Sequence, residues 1–400
     1  MKISLIRLAV LTATALLLLP PILAAEEPAP VWFVQLTDPH IDIDDSTPER
    51  RLQLAVEVLN EIVDPAFVIV TGDLADHGSA WELRRYADIV NRCEAPVHNV
   101  LGNHDHRGLR VFEGELGGKT QFTFSHDGIF FAVINSTHAN GRAEMFEDGL
   151  DWLQAELDRA RSEGYPHLFV ANHHPPVLEE GDTQIDGGLD SLLRIVDEND
   201  VTMFLSGHVH RNFIRLANGT VFVVTAPAKS RDVHFRVVCI DRGELSTGTF
   251  SARTLWDTGF PTVMITYPAD PENAPQPKAL ENAEPIRCLT FSNASVSRVE
   301  YSIERRKSGP GIPEYVSVYE EVANGNLSAV STHVWQDIPE VRAVEGGSYT
   351  LTVTAYSQGG HTASDSIRLM VVPEYGEVLP SILVLGFVFG YIWRRRPLGS

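Results

Sequence analysis

The sequence predicts an α/β protein, built on a mixed sheet or two packed sheets with helices outside. A smaller all-β sandwich and a C-terminal transmembrane segment are expected to follow. Three observations carry this reading. From Val31 to about Ile265, short apolar runs alternate with stretches of helical spacing. After Pro261 the runs alternate in hydrophobicity with no helical stretch between them. Near the end, an uncharged apolar stretch is closed by three arginines.

At the N-terminus, Lys2 and Arg7 precede an apolar run from Leu8 to Leu19, then Pro20-Pro21 and the small pair Ala24-Ala25. This is the form of a signal peptide over residues 1–25. Its apolar core is short for a retained anchor. The chemistry is therefore expected outside the cytoplasm, at the cell surface.

The five strand-length runs are Val31 to Leu36, Phe67 to Val70, Val97 to Leu101, Leu168 to Val170 and Met203 to Leu205. Each ends in Asp, Asn or His. The endings are Thr37-Asp38-Pro39-His40, Thr71-Gly72-Asp73, Gly102-Asn103-His104-Asp105, Asn172-His173-His174-Pro175 and Ser206-Gly207-His208-Val209-His210. Such groups are costly to bury without a purpose, and the C-terminal ends of strands in α/β sheets are where ligands sit. Helical spacing appears at Glu49 to Ile62, Ala80 to Val90 and Leu150 to Ala160, and again at Gly188 to Val196. Asp127-Gly128 and Asn218-Gly219 read as hairpin turns.

Thirteen of the 15 histidines precede Pro261, so the metal chemistry belongs to a first unit, residues 31–262. A Pro-, Asp- and Asn-rich linker is expected at 263–280, and a β-sandwich at 281–373. Its strands are read at Ile286 to Phe291, Val299 to Glu304, Val316 to Tyr319, Ala329 to Trp335, Tyr349 to Tyr356 and Ile367 to Val372. Gly346 to Gly360 resembles the closing hairpin of immunoglobulin-like sandwiches. Residues 378–393 make an apolar stretch about 24 Å long as a helix, and 394–400 a basic tail. The positive-inside rule keeps the arginines cytoplasmic and attaches the protein to the membrane through its C-terminus. Val372-Pro373-Glu374-Tyr375-Gly376 before that stretch also resembles an archaeosortase-type sorting tail, which implies processing and a lipid anchor.

Composition excludes several classes. A hydrophobic content of 44% excludes general disorder, and a net charge of −21 argues against a nucleic-acid partner. Cys93, Cys239 and Cys288 form no CxxC pair; at most one disulfide can form among them, and three structural thiols is the favoured reading. Sequons at Asn135, Asn218, Asn293 and Asn326 are compatible with an exterior location.

The strand ends carry the chemistry. Asp38 and His40 are two residues apart, as are His208 and His210, so in extended chain each pair points to one side. Together with Asp73, Asn103 and His173 they make seven candidate ligands for Zn, Fe or Mn, too many for one tetrahedral ion. They suit two ions sharing a carboxylate, and Asp73 is the natural bridge. Two divalent ions with two carboxylates leave a net charge of about +2, which attracts an anion and activates bound water as a hydroxide nucleophile. Phosphoester hydrolysis follows from this ligand set.

Asp-x-His, Gly-Asp, Gly-Asn-His-Asp, His-His-Pro and Gly-His-x-His, in this order, resemble the calcineurin-like metallophosphoesterase superfamily. The resemblance implies a four-layer α/β/β/α sandwich. It implies that Asp38, His40, Asp73 and His210 hold one metal, and that Asp73, Asn103, His173 and His208 hold the other. It also implies that His174 supports His173 from behind, and that His104 is the general acid, oriented by Asp105. Gly149-Leu150-Asp151-Trp152-Leu153 is similar to a region of the cyclic-nucleotide and glycerophosphodiester phosphodiesterases. A glutamine of that pattern is missing here, so no substrate carries over. The combination of phosphoesterase, sandwich and membrane segment also resembles membrane-tethered members of the superfamily.

His106, Asn135, His138 and Arg142 are candidate substrate contacts, weighed against structural or solvated roles. His77, His98, His126 and His234 read as structural or exposed. The expected function is phosphomono- or phosphodiester hydrolysis. A non-catalytic cell-surface scaffold, or a nuclease of the same fold, are the competing readings.

Overall fold

Four of the five apolar runs become inner strands of two sheets, and the run at Val97 becomes an edge strand. In the computed structural model, the described residues are 28–116, 118–138, 142–179, 182–274, 284–307, 318–339 and 347–371. The first unit contains β1 (Val31–Leu36), β2 (Val68–Val70), β3 (Val97–Asn99), β4 (Phe122–His126), β5 (Ile129–Val133) and β6 (His167–Ala171). It continues with β7 (Met203–Ser206), β8 (Phe213–Ala217), β9 (Thr220–Val224), β10 (His234–Asp241) and β11 (Glu244–Ser251). One sheet has the order β11-β10-β1-β2-β3 and the other β4-β5-β6-β7-β9-β8. The strands β1, β2 and β3 run parallel, as do β5, β6, β7 and β9.

Side-chain alternation along each strand builds the layers. Phe33, Phe67 and Ile69 point inward to meet Phe131, Phe169 and Leu205 of the facing sheet. The Phe33 and Phe67 rings stack at 4.7 Å, and Phe33 meets Phe131 edge-on at 5.2 Å. Val34, Leu36, Val68 and Val70 point outward against helices. Strands buried on both faces need unbroken apolar runs, which is why they were legible.

The helices cover the outer faces. These are α1 (Thr47–Val58), α2 (Ala80–Val90), α3 (Leu109–Gly114), α4 (Glu147–Ser162), α5 (Leu189–Glu198) and α6 (Ala252–Thr258). A π turn, Leu59–Val63, extends α1 and explains why its pattern reads on to Ile62. It ends on Asp64 in the left-handed region. A capping box between Ser79 and Glu82 starts α2, which buries Leu83, Tyr86 and Ile89 on the first sheet. Leu153 and Leu157 of α4 and Leu192 and Ile195 of α5 pack on the second. Sequence reading missed α3 and α6, whose one or two turns are too short to show a period. It also missed the Arg242-Gly243 hairpin, where both residues have positive φ.

The second unit is antiparallel. It contains β12 (Thr262–Tyr267), β13 (Ile286–Phe291), β14 (Val296–Lys307), β15 (Val318–Ala329), β16 (Val334–Asp337), β17 (Gly347–Ser357) and β18 (Thr362–Val371). Their order is β12-β13-β16-β15-β14-β17-β18. The long strand β15 pairs with β14 over most of its length and with β16 at its end. Val263, Ile286 and Cys288 thereby face Tyr301, Leu351, Val353 and Leu369 in one core.

Two expectations change here. Residues 263–267, expected to begin a linker, form β12, because Val263, Ile265 and Tyr267 are buried against neighbouring strands. The run Ala329 to Trp335, expected as one strand, is the end of β15, a turn at Ser331 and the start of β16.

The units share a core. Met264, Leu289, Phe291 and Val334 join Phe235, Leu255 and Cys239 of the first unit. Arg287 reaches Asp241 at 2.8 Å, both of them buried, while Thr266 donates to the other Asp241 oxygen at 2.7 Å. All three cysteines are free thiols. The expected signal peptide, apolar segment 378–393 and basic tail 394–400 lie outside the described residues. Among the described residues, no helix is long and apolar enough to cross a membrane.

Candidate metal centre

All five predicted strand ends meet at one edge of the two facing sheets. The chain reaches this edge through unusual backbone: Asp38, His40, Asp73, His208 and His210 all have positive φ, between 44° and 72°. Non-glycine residues in this region are strained and cluster at functional sites. The glycines before the ligands are required by close approach. A Cβ on Gly102 would collide with the Asp73 backbone, and one on Gly207 with Thr37 and the Asp38 carboxylate.

Two groups of donor atoms result. In the first, His210 Nε2 lies 3.1 Å from Asp38 Oδ1 and 3.3 Å from His40 Nε2, which is itself 3.7 Å from Asp38 Oδ1. In the second, His173 Nε2 lies 3.0 Å from Asn103 Oδ1 and 3.2 Å from His208 Nδ1. Asp73 Oδ2 stands between them, 3.5 Å from His40 Nε2 and 3.2 Å from His173 Nε2. Ligands about 2.1 Å from a tetrahedral ion are roughly 3.4 Å apart, so these donors fit metal coordination. Imidazole, carboxylate and amide oxygen suit Zn, Fe or Mn.

The electrostatics agree. Burial pushes the Asp38 carboxyl up, but hydrogen bonds to His210 and His40 outweigh it and hold the group well below the usual carboxylate range. Burial likewise opposes ionisation of Asp73, and His173 overcomes it. Burial disfavours charge on His173 too, yet Asp73 raises it to about 9. The paired carboxylates thus draw positive charge onto a buried ring, a role a metal cation takes over on binding. His208 is pushed down to about 4 by burial and by His173, and stays a neutral donor.

Backbone and side-chain partners orient the rings. The Thr71 carbonyl accepts from His173 Nδ1 at 2.8 Å. Thr37 Oγ1 donates to Asp38 Oδ2 at 2.5 Å, and the His208 N–H donates to the same oxygen at 3.0 Å. His174 is buried behind His173, with Nδ1 3.0 Å from Ser136 Oγ and its ring 4.6 Å from that of His208.

His104 stands at the rim, its side chain 39% exposed and Nε2 4.0 Å from Asp73 Oδ2. Here an expectation fails: Asp105 does not orient it. The Asp105 carboxylate is fully buried and accepts from the N–H groups of Gly102, Leu74 and Ala75 at 2.9, 3.1 and 2.9 Å. It ties the Asp73 turn to the Asn103 turn. His104 Nδ1 is instead held by the Asp76 carbonyl at 2.5 Å. The Asp76 carboxylate also holds His40 Nδ1, at 2.8 Å. Sequence reading missed Asp76, although a carboxylate three residues after Asp73 was a visible signal.

The candidate substrate contacts scatter. His106 turns back to the Asn103 carbonyl. Asn135 closes a local turn with Thr137, with its Oδ1 accepting at 2.8 Å. The His138 ring lies 5.3 Å from that of Phe146, and Arg142 is exposed, 3.6 Å from Asp186.

Residues 31–212 match the family model of the calcineurin-like phosphoesterases. The chain is 30% identical over 208 residues to a probable cyclic nucleotide phosphodiesterase of Synechococcus sp., covering 48% of this chain and 78% of that one. The chain belongs to the calcineurin-like phosphoesterases. This phosphoesterase is also 26% identical to a probable glycerophosphodiester phosphodiesterase of Arcobacter nitrofigilis, covering 50% of this chain and 79% of that one. It is 28% identical to serine/threonine-protein phosphatase CPPED1 of Homo sapiens, covering 41% and 59%. The phosphoesterase is a metal-dependent phosphoester hydrolase, and the His and Asp clusters described above offer donor groups that could hold its metal.

Proposed function

We propose that this protein is an extracytoplasmic, membrane-tethered phosphohydrolase that works with two metal ions. The observation that carries the two-metal reading is Asp73 Oδ2, within 3.5 Å of donors from both groups. When bound, the ions supply positive charge for the phosphoryl oxygens and lower the pKa of water.

The chain's own residues do the rest. Asp73 keeps the two donor groups in register. With Nδ1 bonded to a carbonyl, which can only accept, His104 presents Nε2 at the open rim. In the imidazolium form, which carries a second proton on Nε2, the ring gives that proton to the leaving oxygen as the P–O bond breaks, while the water that adds to phosphorus releases one. Support for the exterior location and the tether comes from the N-terminal basic-then-apolar stretch and from 378–396, apolar then triple arginine.

The test is metal analysis of protein purified without chelator, together with turnover of p-nitrophenyl phosphate, its bis-ester and cyclic nucleotides with and without manganese. Two metals per chain and metal-dependent turnover are expected. A metallated chain silent on every ester would overturn the reading in favour of a scaffold. Ending the chain at Pro373 is expected to free it from the membrane with turnover on small esters unchanged.

A further inference from the structure

Apolar contact between two packed sheets is non-directional, so it does little to fix how far one sheet slides along the other. Phe33, Phe67, Phe131 and Phe169 make contact of this kind here. Yet the candidate donors come from both sheets. Asp38, His40, Asp73 and Asn103 follow strands of the first, while His173, His208 and His210 follow strands of the second. A slip of about 1 Å between the sheets would spoil the donor spacing.

One polar cluster crosses the apolar layer. Gln35 of β1 and Arg236 of β10 are cross-strand partners in the first sheet, and Ser206 of β7 and Val224 of β9 are cross-strand partners in the second. Gln35 Nε2 donates to the Ser206 carbonyl at 2.9 Å, and Arg236 Nη2 donates to the Val224 carbonyl at 3.1 Å. A pair in one sheet thus grips a pair in the other. Gln35 Nε2 also donates to Thr71 Oγ1 at 3.0 Å. The gripped residues stand directly ahead of candidate ligands. Ser206 precedes Gly207-His208, and Thr71, whose carbonyl holds His173, precedes Gly72-Asp73.

Arg236 sets the direction of these bonds. A guanidinium only donates, so Thr225 Oγ1 accepts from Arg236 Nε at 3.0 Å and gives its one proton to Gln35 Oε1 at 2.7 Å. That bond turns the Gln35 amide oxygen toward Thr225 and leaves the NH2 group for Thr71 and Ser206. Gln35, Thr71, Ser206, Thr225 and Arg236 are all buried. No carboxylate among the described residues pairs with Arg236, and burial pushes its guanidinium down to about 10, so it stays charged at neutral pH. A core charge without a counter-ion destabilises a fold unless its hydrogen bonds are made, and here they reach the opposite sheet.

We infer that Gln35 and Arg236 are positioning residues, clamping the two sheets in the register that brings the donors of both to metal distance. The inference rests on the metal-centre reading above and adds the device that holds the centre together.

The test measures the manganese affinity of the full chain by competition with a chelator, well below the melting temperature. Gln35→Leu and Arg236→Met should each weaken manganese binding about tenfold or more, the scale on which groups behind metal ligands act. Thr225→Val removes one oxygen and keeps the shape. It should weaken binding in the same direction, and it preserves the test if the larger changes fail to fold. Both single changes break one chain of bonds, so the double variant should lose no more than about threefold beyond the worse single one. Phe131→Leu, which loosens apolar packing between the same sheets, should lower the melting temperature and leave manganese affinity unchanged. Folded clamp variants that bind manganese as the wild type does overturn the inference. An equal loss of affinity in Phe131→Leu overturns it too, because the cluster is then ordinary core. A wild-type chain that binds no manganese overturns the metal-centre reading and the clamp with it.

Discussion

The Asp76 carboxylate lies 2.8 Å from His40 Nδ1. A carboxylate can only accept, so Nδ1 carries the proton and Nε2 is left with its lone pair toward the metal-ligand group. The same residue's carbonyl fixes a proton on His104 Nδ1, so Nε2 there can donate only when the ring carries a second proton. One residue thus holds the rings of both His40 and His104, the first through its side chain and the second through its backbone. Asp76→Ala is expected to weaken metal binding about 10–100-fold, the usual scale for losing such a partner. Competition with a chelator measures this. Because the carbonyl survives, the dependence of rate on leaving group should persist at saturating metal. Unchanged metal affinity would remove the role.

Asp73 and Asp38 should differ. Asp73 Oδ2 faces both donor groups, whereas Asp38 Oδ1 faces only His40 and His210 among the ligand rings nearest it. Asp73→Ala should lose both metals and all activity. Asp38→Ala should lose mainly one. Metal content after gel filtration decides, and two tightly held metals in the Asp73 variant would sink the bridging assignment.

His104 and Asp105 are neighbours with separable roles. His104→Ala should keep both metals and lose roughly 10²–10⁴ in rate on alkyl esters, the scale of general acid catalysis. On p-nitrophenyl esters, whose leaving group hardly needs a proton, the loss should be at least tenfold smaller. Asp105→Ala strips the acceptor from three backbone N–H groups, each costing about 1–3 kcal/mol when left buried and unpaired. It should lower the melting temperature and reduce both ester classes alike. A leaving-group dependence in the Asp105 variant like that of His104→Ala would restore its role as the orienting residue.

Acid should destabilise the fold through His98. Its ring stacks on Phe124 at 3.7 Å, and burial, aided by His126, pushes it down to about 4. The unfolded chain, near 6.5, binds more protons between pH 6.5 and 4. Stability present above 6.5 is therefore lost as pH falls through that window. The melting temperature of His98→Phe should fall less steeply than that of the wild type over the same range. Parallel curves would exclude His98 as the source.

The shared core makes the two units one folding problem. Ending the chain before β12 uncovers Phe235 and Leu255 and removes Arg287 and Thr266, the partners of the Asp241 carboxylate. Such a fragment should be insoluble or partly unfolded. Arg287→Ala in the full chain should cost about 3–5 kcal/mol, as breaking a buried pair does. Denaturant unfolding gives the number, and a well-folded fragment ending at Pro261 would refute the shared core.

Sequence alone determined the five strands and the polar residues at their ends. A strand buried on both faces must be apolar nearly throughout, as four of the five are, and a candidate metal donor must come from the few side chains that offer an O, N or S lone pair. Both constraints are written residue by residue, as in Val31 to Leu36 before Asp38 and His40. Tertiary structure alone decided which groups meet. Asp105 follows His104 in the chain, but positive φ at Asp73 and the close approach at Gly102 turn its carboxylate onto backbone N–H groups. Asp76, 28 residues from His104 and 36 from His40, takes the orienting role. Likewise Val263 to Tyr267 looked like the start of a linker until β13 supplied the partner that buries it. Hydrogen-bond partners and strand neighbours are distant in sequence, and short-range patterns carry no record of them.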